Sequence, residues 1–172
     1  VRAIEFVDQQ HGRALHFRLQ RLQQWTFHQI ALGEHIVLEP RALYSVRGEV
    51  VTGDDGIVEI GRARTVRQGS AATVVTMGQT TGLTLKAAES AGLDLDVIDL
   101  LTLVPWDVET VLASVRRTGR LVVVEEAPFS GGWGSEIVST ITTAAFDALS
   151  AAPFRITAPD VPVPYTKDLE AR

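Results

Sequence analysis

Two carboxylates, a run of glycines and an acidic helix start stand together in GRLVVVEEAPFSGGWGSEI, Gly119 to Ile137. Paired carboxylates do general acid–base work when both reach one reacting atom. Glu125 and Glu126 are neighbours in an extended apolar run, so their side chains leave on opposite faces and cannot share a substrate without a bulge. One is expected to pair or cap locally while the other meets solvent or a partner. Gly131, Gly132 and Gly134 precede a helix start and could turn free backbone N–H groups on an anion. The spacing is not G-x-G-x-x-G, however, and no Walker lysine follows. Ser135 and Glu136 suit the helix start and can satisfy its N–H groups themselves. Trp133 would then plug a gap where small residues let the loop pass close to a neighbouring strand. MGQTTG, Met77 to Gly82, poses the same choice at Gly78, Gln79 and Thr80: an anion-binding turn or an ordinary helix start.

Other chemistry is harder to assemble. Asp94, Asp96 and Asp99 resemble a metal cluster on paper, but they straddle a loop and a strand, and a solvated edge is the expected arrangement. All four histidines (His11, His16, His28 and His35) lie in the first 35 residues, as do six of the eight glutamines. Their spacings do not repeat one helical turn apart, so solvated histidines are expected rather than a metal site. With every His in that segment, no Ser, His and Asp come together downstream. No catalytic, cofactor-binding or metal-ligating residue is assigned; the glycine-bearing loops remain as an anion or interface surface.

The elements that would position these loops can be read from periodicity. The first 35 residues lack proline and carry Leu15, Leu19 and Leu22, a spacing that predicts an amphipathic helix from about Ala14 to Leu32. HIVLEP reads as a short strand stopped by Pro40, and GDDG (Gly53 to Gly56) as a turn. IVEIGRARTV follows as a half-buried strand, placed over Ile57 to Ala63. Then strands and helices alternate. ATVVTMG, DVIDLLTL (Asp96 to Leu103), RLVVVEE and FRITAP are strands; TTGLTLKAAESAGL, PWDVETVLASVRRTG and SEIVSTITTAAFDALS are helices. Gly92 and Gly119 stand at helix ends, Pro105 stands near a helix start, and Arg116 and Arg117 suit the helix dipole. This alternation predicts a mostly parallel sheet covered on both faces. Ligands of such sheets sit beyond the C-terminal strand ends, here Gly78–Thr81, Val104–Asp107 and Glu125–Gly134. Pro159, Pro162 and Pro164 predict an extended tail.

Composition narrows the function classes. The chain has 172 residues, 45% of them hydrophobic and 22% charged, enough for one domain with a real core. A net charge of −5 favours neither nucleic acid nor an anionic membrane as partner. No apolar run is long enough to span a bilayer. The absence of cysteine removes thiol chemistry and fits a reducing compartment, so a cytoplasmic location is expected.

Several stretches taken together resemble a known family. VLEPRALYS, IGRARTVRQGSAATVVTMG, VIDLLTLVPWDVETVLASVRRTGRLVVVEEAP, GGWGSEI and APDVPVPY are similar, in order, to the C-terminal half of beta subunits of thiamine-diphosphate-dependent 2-oxo acid dehydrogenases. These are the pyruvate, branched-chain and acetoin enzymes, within the transketolase superfamily. The similarity runs from about Ile36 to Leu169, and VPWDVETV looks closest to the branched-chain type.

The resemblance implies a transketolase C-terminal-like domain: a three-layer α/β/α sandwich on five strands, with the first strand antiparallel. It further implies a non-catalytic role in assembly and regulation, with an alpha subunit, a second beta copy and the acyltransferase core as partners. Thiamine diphosphate and magnesium would belong to the parent enzyme and not to this chain alone, and a dimer or higher species is expected. The family's LDAP before the last strand is replaced by LSAAP, with Ser150 where the family has the Asp implicated in docking to the acyltransferase core. Residues 1–35 do not match the family's lead-in and are expected to be a divergent segment joined to the domain of residues 36–172; relatives continue beyond Arg172 into a closing helix. The alternative is a stand-alone flavodoxin-like module binding a small molecule or anion through Gly78–Thr81 and Gly131–Ser135.

Overall fold

Five strands and three helices, linked by glycine-bearing turns, form the body of the protein in a computed structural model. It describes residues 4–7, 14–17, 40, 43–44, 47–48, 51, 53 and 56–162. Strand β1 (Ile4–Val7) pairs antiparallel with β2 (Ala14–Phe17). The predicted helix from Ala14 is therefore corrected at Ala14–Phe17. The register sets Ile4 opposite Phe17 and Phe6 opposite Leu15, an apolar alternation of period two that the helical spacing had masked. The rest of that predicted helix, His11, His28 and His35, and the predicted strand before Pro40 lie outside the described residues.

The main sheet contains β3 (Arg64–Arg67), β4 (Ala72–Thr76), β5 (Leu95–Asp99), β6 (Leu121–Pro128) and β7 (Phe154–Ala158) in the order β3-β5-β4-β6-β7. β3 runs antiparallel to β5, and the other neighbours are parallel. The five-stranded mixed sheet with its first strand antiparallel is thus present.

Two boundaries differ from the sequence reading. Residues 57–63 are not a strand: Gly61 takes φ +83 within a turn closed by Arg62 N–H to the Glu59 carbonyl, 3.2 Å. The segment bonds instead to the loop after β5, through Gly61 N–H to Thr102 Oγ1 and Ala63 N–H to Asp107 Oδ2, each 3.0 Å. β5 ends at Asp99 because Leu101 adopts φ +60 and the Thr102 amide reaches back to the Leu100 carbonyl at 2.6 Å.

Helix α1 (Gln79–Ser90) covers one face of the sheet; α2 (Val108–Thr118) and α3 (Gly134–Ala145) cover the other. Side-chain alternation decides the faces. Thr73 of β4 and Asp96 of β5 bond to Ser114 of α2, whereas Thr76 of β4 bonds to Thr81 of α1. The core lies between the sheet and α2–α3: Val75, Ile98, Leu100, Val115, Leu121, Val123, Ile137 and Ile141 are all at 2% exposure or less. α2 starts one turn later than Pro105, because Asp107 caps it: Oδ1 accepts from the Thr110 amide at 3.1 Å. It ends at Gly119, whose φ of +69 provides the left-handed cap. α1 ends similarly at Gly92, with the Leu93 amide bonding back to Ala88. α3 gives way after Ala145 to one 3₁₀ turn, Phe146–Ala148, earlier than the helical pattern through Ser150 suggests.

Candidate functional site

β4 sends its chain to α1 on one face, while its neighbours β5 and β6 send theirs to α2 and α3 on the other. Crevices between diverging connections at the C-terminal strand ends are the usual ligand sites of such sheets. Here the crevice between β4 and β6 is closed by the protein's own groups. Thr80, 4% exposed, donates to the carbonyls of Met77 (2.8 Å) and Val124 (3.2 Å) and accepts from the Met77 amide at 3.1 Å. Gly78 precedes α1 with φ +63 and gives no side-chain cap, so the ordinary capped helix start anticipated there is absent. Gln79 opens α1 half-buried.

The acidic loop is equally self-contained. Glu125 is 4% exposed and Glu126 is exposed, the opposite-face arrangement expected of an extended pair. Glu125 Oε2 accepts the Gly134 amide at 2.9 Å, and Oε1 accepts both Nε (2.9 Å) and Nη2 (2.6 Å) of Arg155. The helix-start amide is satisfied by a carboxylate from the preceding strand; Ser135 makes no capping bond and is exposed, which corrects the local-cap reading. An anion does sit on the α3 N-terminus, and it is Glu125.

Close approach explains the glycines. A Cβ on Gly132 would come within 2.5 Å of Glu125 Oε2 and 2.7 Å of Arg155 Nη2, and one on Gly134 would collide with Glu125 Oε1. Gly131 instead supplies a positive φ of +76 with open space around it. Trp133 is half-buried against the core, as a gap-filling residue should be. Arg155 completes the cluster: its side chain is 9% exposed and its guanidinium lies 4.6 Å from the centre of the Phe129 ring. The sequence reading missed it. The available signal was a cation inside the apolar alternation FRI, facing the same side of the sheet as Glu125.

The three aspartates separate. Asp94 is exposed and accepts from Ser70, whose hydroxyl and amide hold its carboxyl below the usual range. Asp96 and Asp99 are buried, not the solvated edge expected of them. Asp96 is drawn inward because Ser114, Arg117 and the Gly69 amide all donate to it. Asp99 ends β5 with Oδ1 unpartnered among the described residues; burial pushes its carboxyl up against the opposing pull of Arg64, 3.6 Å away. Asp107 joins three segments. Burial raises its carboxyl, but the Ala63 amide and the Thr110 hydroxyl and amide outweigh that and hold it below the usual range.

A diphosphate such as that of thiamine diphosphate does not fit the α3 N-terminus. Glu125 places negative charge where a diphosphate would meet that helix start.

Fold and site together define a three-layer α/β/α domain whose ligand edge is filled by structural hydrogen bonds. Residues 61–172 match the family described as Transketolase, C-terminal domain, and the chain belongs to it. It is 43% identical over 138 residues to a pyruvate dehydrogenase E1 component subunit beta of Rhizobium meliloti (strain 1021), covering 78% of this chain and 30% of that protein. It is 40% identical over 132 residues to the mitochondrial 2-oxoisovalerate dehydrogenase subunit beta 2 of Arabidopsis thaliana, covering 75% and 37%. The chain therefore spans about a third of the length of these relatives. Among solved structures, "Split gene transketolase, inactive beta4 tetramer" superposes with a TM-score of 0.58 at 29% identity, covering 71% of this chain and 40% of that one. The resemblance to 2-oxo acid dehydrogenase beta subunits is borne out.

Proposed function

We propose that this chain is the non-catalytic assembly domain of a 2-oxo acid dehydrogenase beta subunit whose parent enzyme uses thiamine diphosphate to decarboxylate a 2-oxo acid oxidatively. The observation that carries this reading is the filled edge: Thr80, Glu125 and Arg155 are bonded to the protein itself, so these polar side chains serve the framework. The beta-subunit relatives support an alpha subunit and a second beta copy as partners. The exposed Glu126, Phe129 and Ser130–Gly131 offer them a surface on the β6–α3 connection. Contact with the acyltransferase core would not use an acid at residue 150, since Ser150 turns its hydroxyl to the Gly119 carbonyl at 2.9 Å. The cysteine-free composition supports a reducing compartment, and we place the protein in the cytoplasm.

The stand-alone binding module is less well supported, because Thr80, Thr81 and the Gly134 amide of its two glycine loops are already taken up by the protein's own groups. Calorimetric titration of the chain with thiamine diphosphate and magnesium, nucleotides and inorganic phosphate separates the two. The assembly reading expects no saturable heat from the chain alone; micromolar binding of any of these would favour the module.

A further inference from the structure

Asp99 has no part in the assembly reading, yet its surroundings are unusual. It is the last residue of β5, in register with Arg64 of β3 on one side and Thr76 of β4 on the other. Its side chain is 9% exposed, and Oδ1 is shut off from solvent with no hydrogen-bond partner among the described residues. Oδ2 lies 3.6 Å from Arg64 Nη2, longer than a good hydrogen bond, and the Arg64 side chain is 66% exposed. Burial pushes the Asp99 carboxyl up and outweighs Arg64, the Leu101 amide and Thr81 of α1, all of which favour its charged form. The Thr76 hydroxyl is already engaged by Thr81 Oγ1 and the Ile98 carbonyl, each at 2.9 Å. Beyond Asp99 the chain turns through Leu101, the only non-glycine with positive φ among the described residues.

A half-satisfied buried carboxylate is costly in its charged form. Three remedies exist: a cation, exposure to water, or a proton. Oδ1 has no accessible surface to admit a cation, whereas a proton needs no room. Exposure to water requires β3 to move. That strand is a four-residue edge with a register irregularity between Thr65 and Arg67, so it is the part of the sheet least firmly held.

We infer that Asp99 is a proton-binding site that makes the seating of β3 on the sheet depend on pH. Among the described residues, β3 presents one charged group to it, Arg64; β4 and α1 present only the neutral hydroxyls of Thr76 and Thr81, and the turn after β5 presents the Leu101 amide. With β3 seated, burial raises the carboxyl's proton affinity; with β3 displaced, water restores the ordinary value. Closure therefore takes up a proton. Its stabilising effect is complete below the ordinary aspartate value of about 3.9 and disappears as pH rises through the raised value of the seated state.

The test is native-state hydrogen exchange on the full chain between about pH 4 and 8. The amides of β3 are followed, corrected for intrinsic rates, with those of α3 as reference, and the Asp99 carboxyl carbon is titrated by NMR. The expected result is β3 protection that rises relative to α3 as pH falls, by at most tenfold per pH unit, the limit for one proton. Asp99 should titrate above its ordinary value, and Asp99→Asn should abolish the slope. A flat wild-type profile, or an equal slope in Asp99→Asn, overturns the inference. Should Asp99→Asn fail to fold, the wild-type carbon titration decides: a value at or below the ordinary one overturns it.

Discussion

Glu125 binds two partners at once, and its environment converts a suspected acid pair into a clamp. Its oxygens hold the first amide of α3 and the guanidinium of Arg155, so β6, β7 and α3 meet at one carboxylate. Glu125 and Arg155 are almost wholly buried, so removal of either strands the other's charge. Glu125→Ala and Arg155→Ala should each destabilise the domain by about 3–5 kcal/mol in denaturant unfolding. The double variant should lose much less than the sum, because no orphaned charge remains. Gly134→Ala tests the clamp from the other side. Alanine gains up to about 1 kcal/mol over glycine inside a helix. Here its Cβ would displace Glu125, so a lower melting temperature is expected; an increase would show that the carboxylate is not held there.

At the scale of elements, Asp107 explains why residues 57–63 leave the sheet and why α2 begins where it does. One carboxylate caps α2 through Thr110 and receives the Ala63 amide immediately before β3. Asp107→Ala should cost about 2 kcal/mol, the upper end for cap loss. Because the folded carboxyl is held below its usual range, that stabilisation is present above the unfolded value of about 3.9 and fades as pH falls through the folded value. Thermal melts should therefore separate wild type from Asp107→Ala at neutral pH and converge under strong acid.

The alternating elements from Ala72 to Ala158 were legible because apolar runs, glycine ends and acidic helix starts agreed with one another. The β3 boundary was not legible, since the alternation of IVEIGRAR continues through a glycine whose positive φ only the structure reveals. The same limit applies to the site. Adjacent glutamates on a strand must diverge, so sequence excluded an acid pair; Arg155, 30 residues away, could be joined to Glu125 only once the β6–β7 pairing was known.

At the scale of the whole molecule, an α/β/α sandwich closed at its ligand edge fits a part that organises neighbouring subunits. A family match over residues 61–172 and beta-subunit relatives of which this chain spans about a third support that proposal. Glu126 is exposed and lies outside the Glu125 clamp, so it can change without loss of fold, whereas Phe129 stacks on Arg155 and Gly131 needs its positive φ. The most direct test is sedimentation velocity of the chain mixed with a 2-oxo acid dehydrogenase alpha subunit. The account predicts a new, faster-sedimenting species containing both chains. Two boundaries that sediment unchanged at concentrations well above those of stable subunit pairs would contradict it.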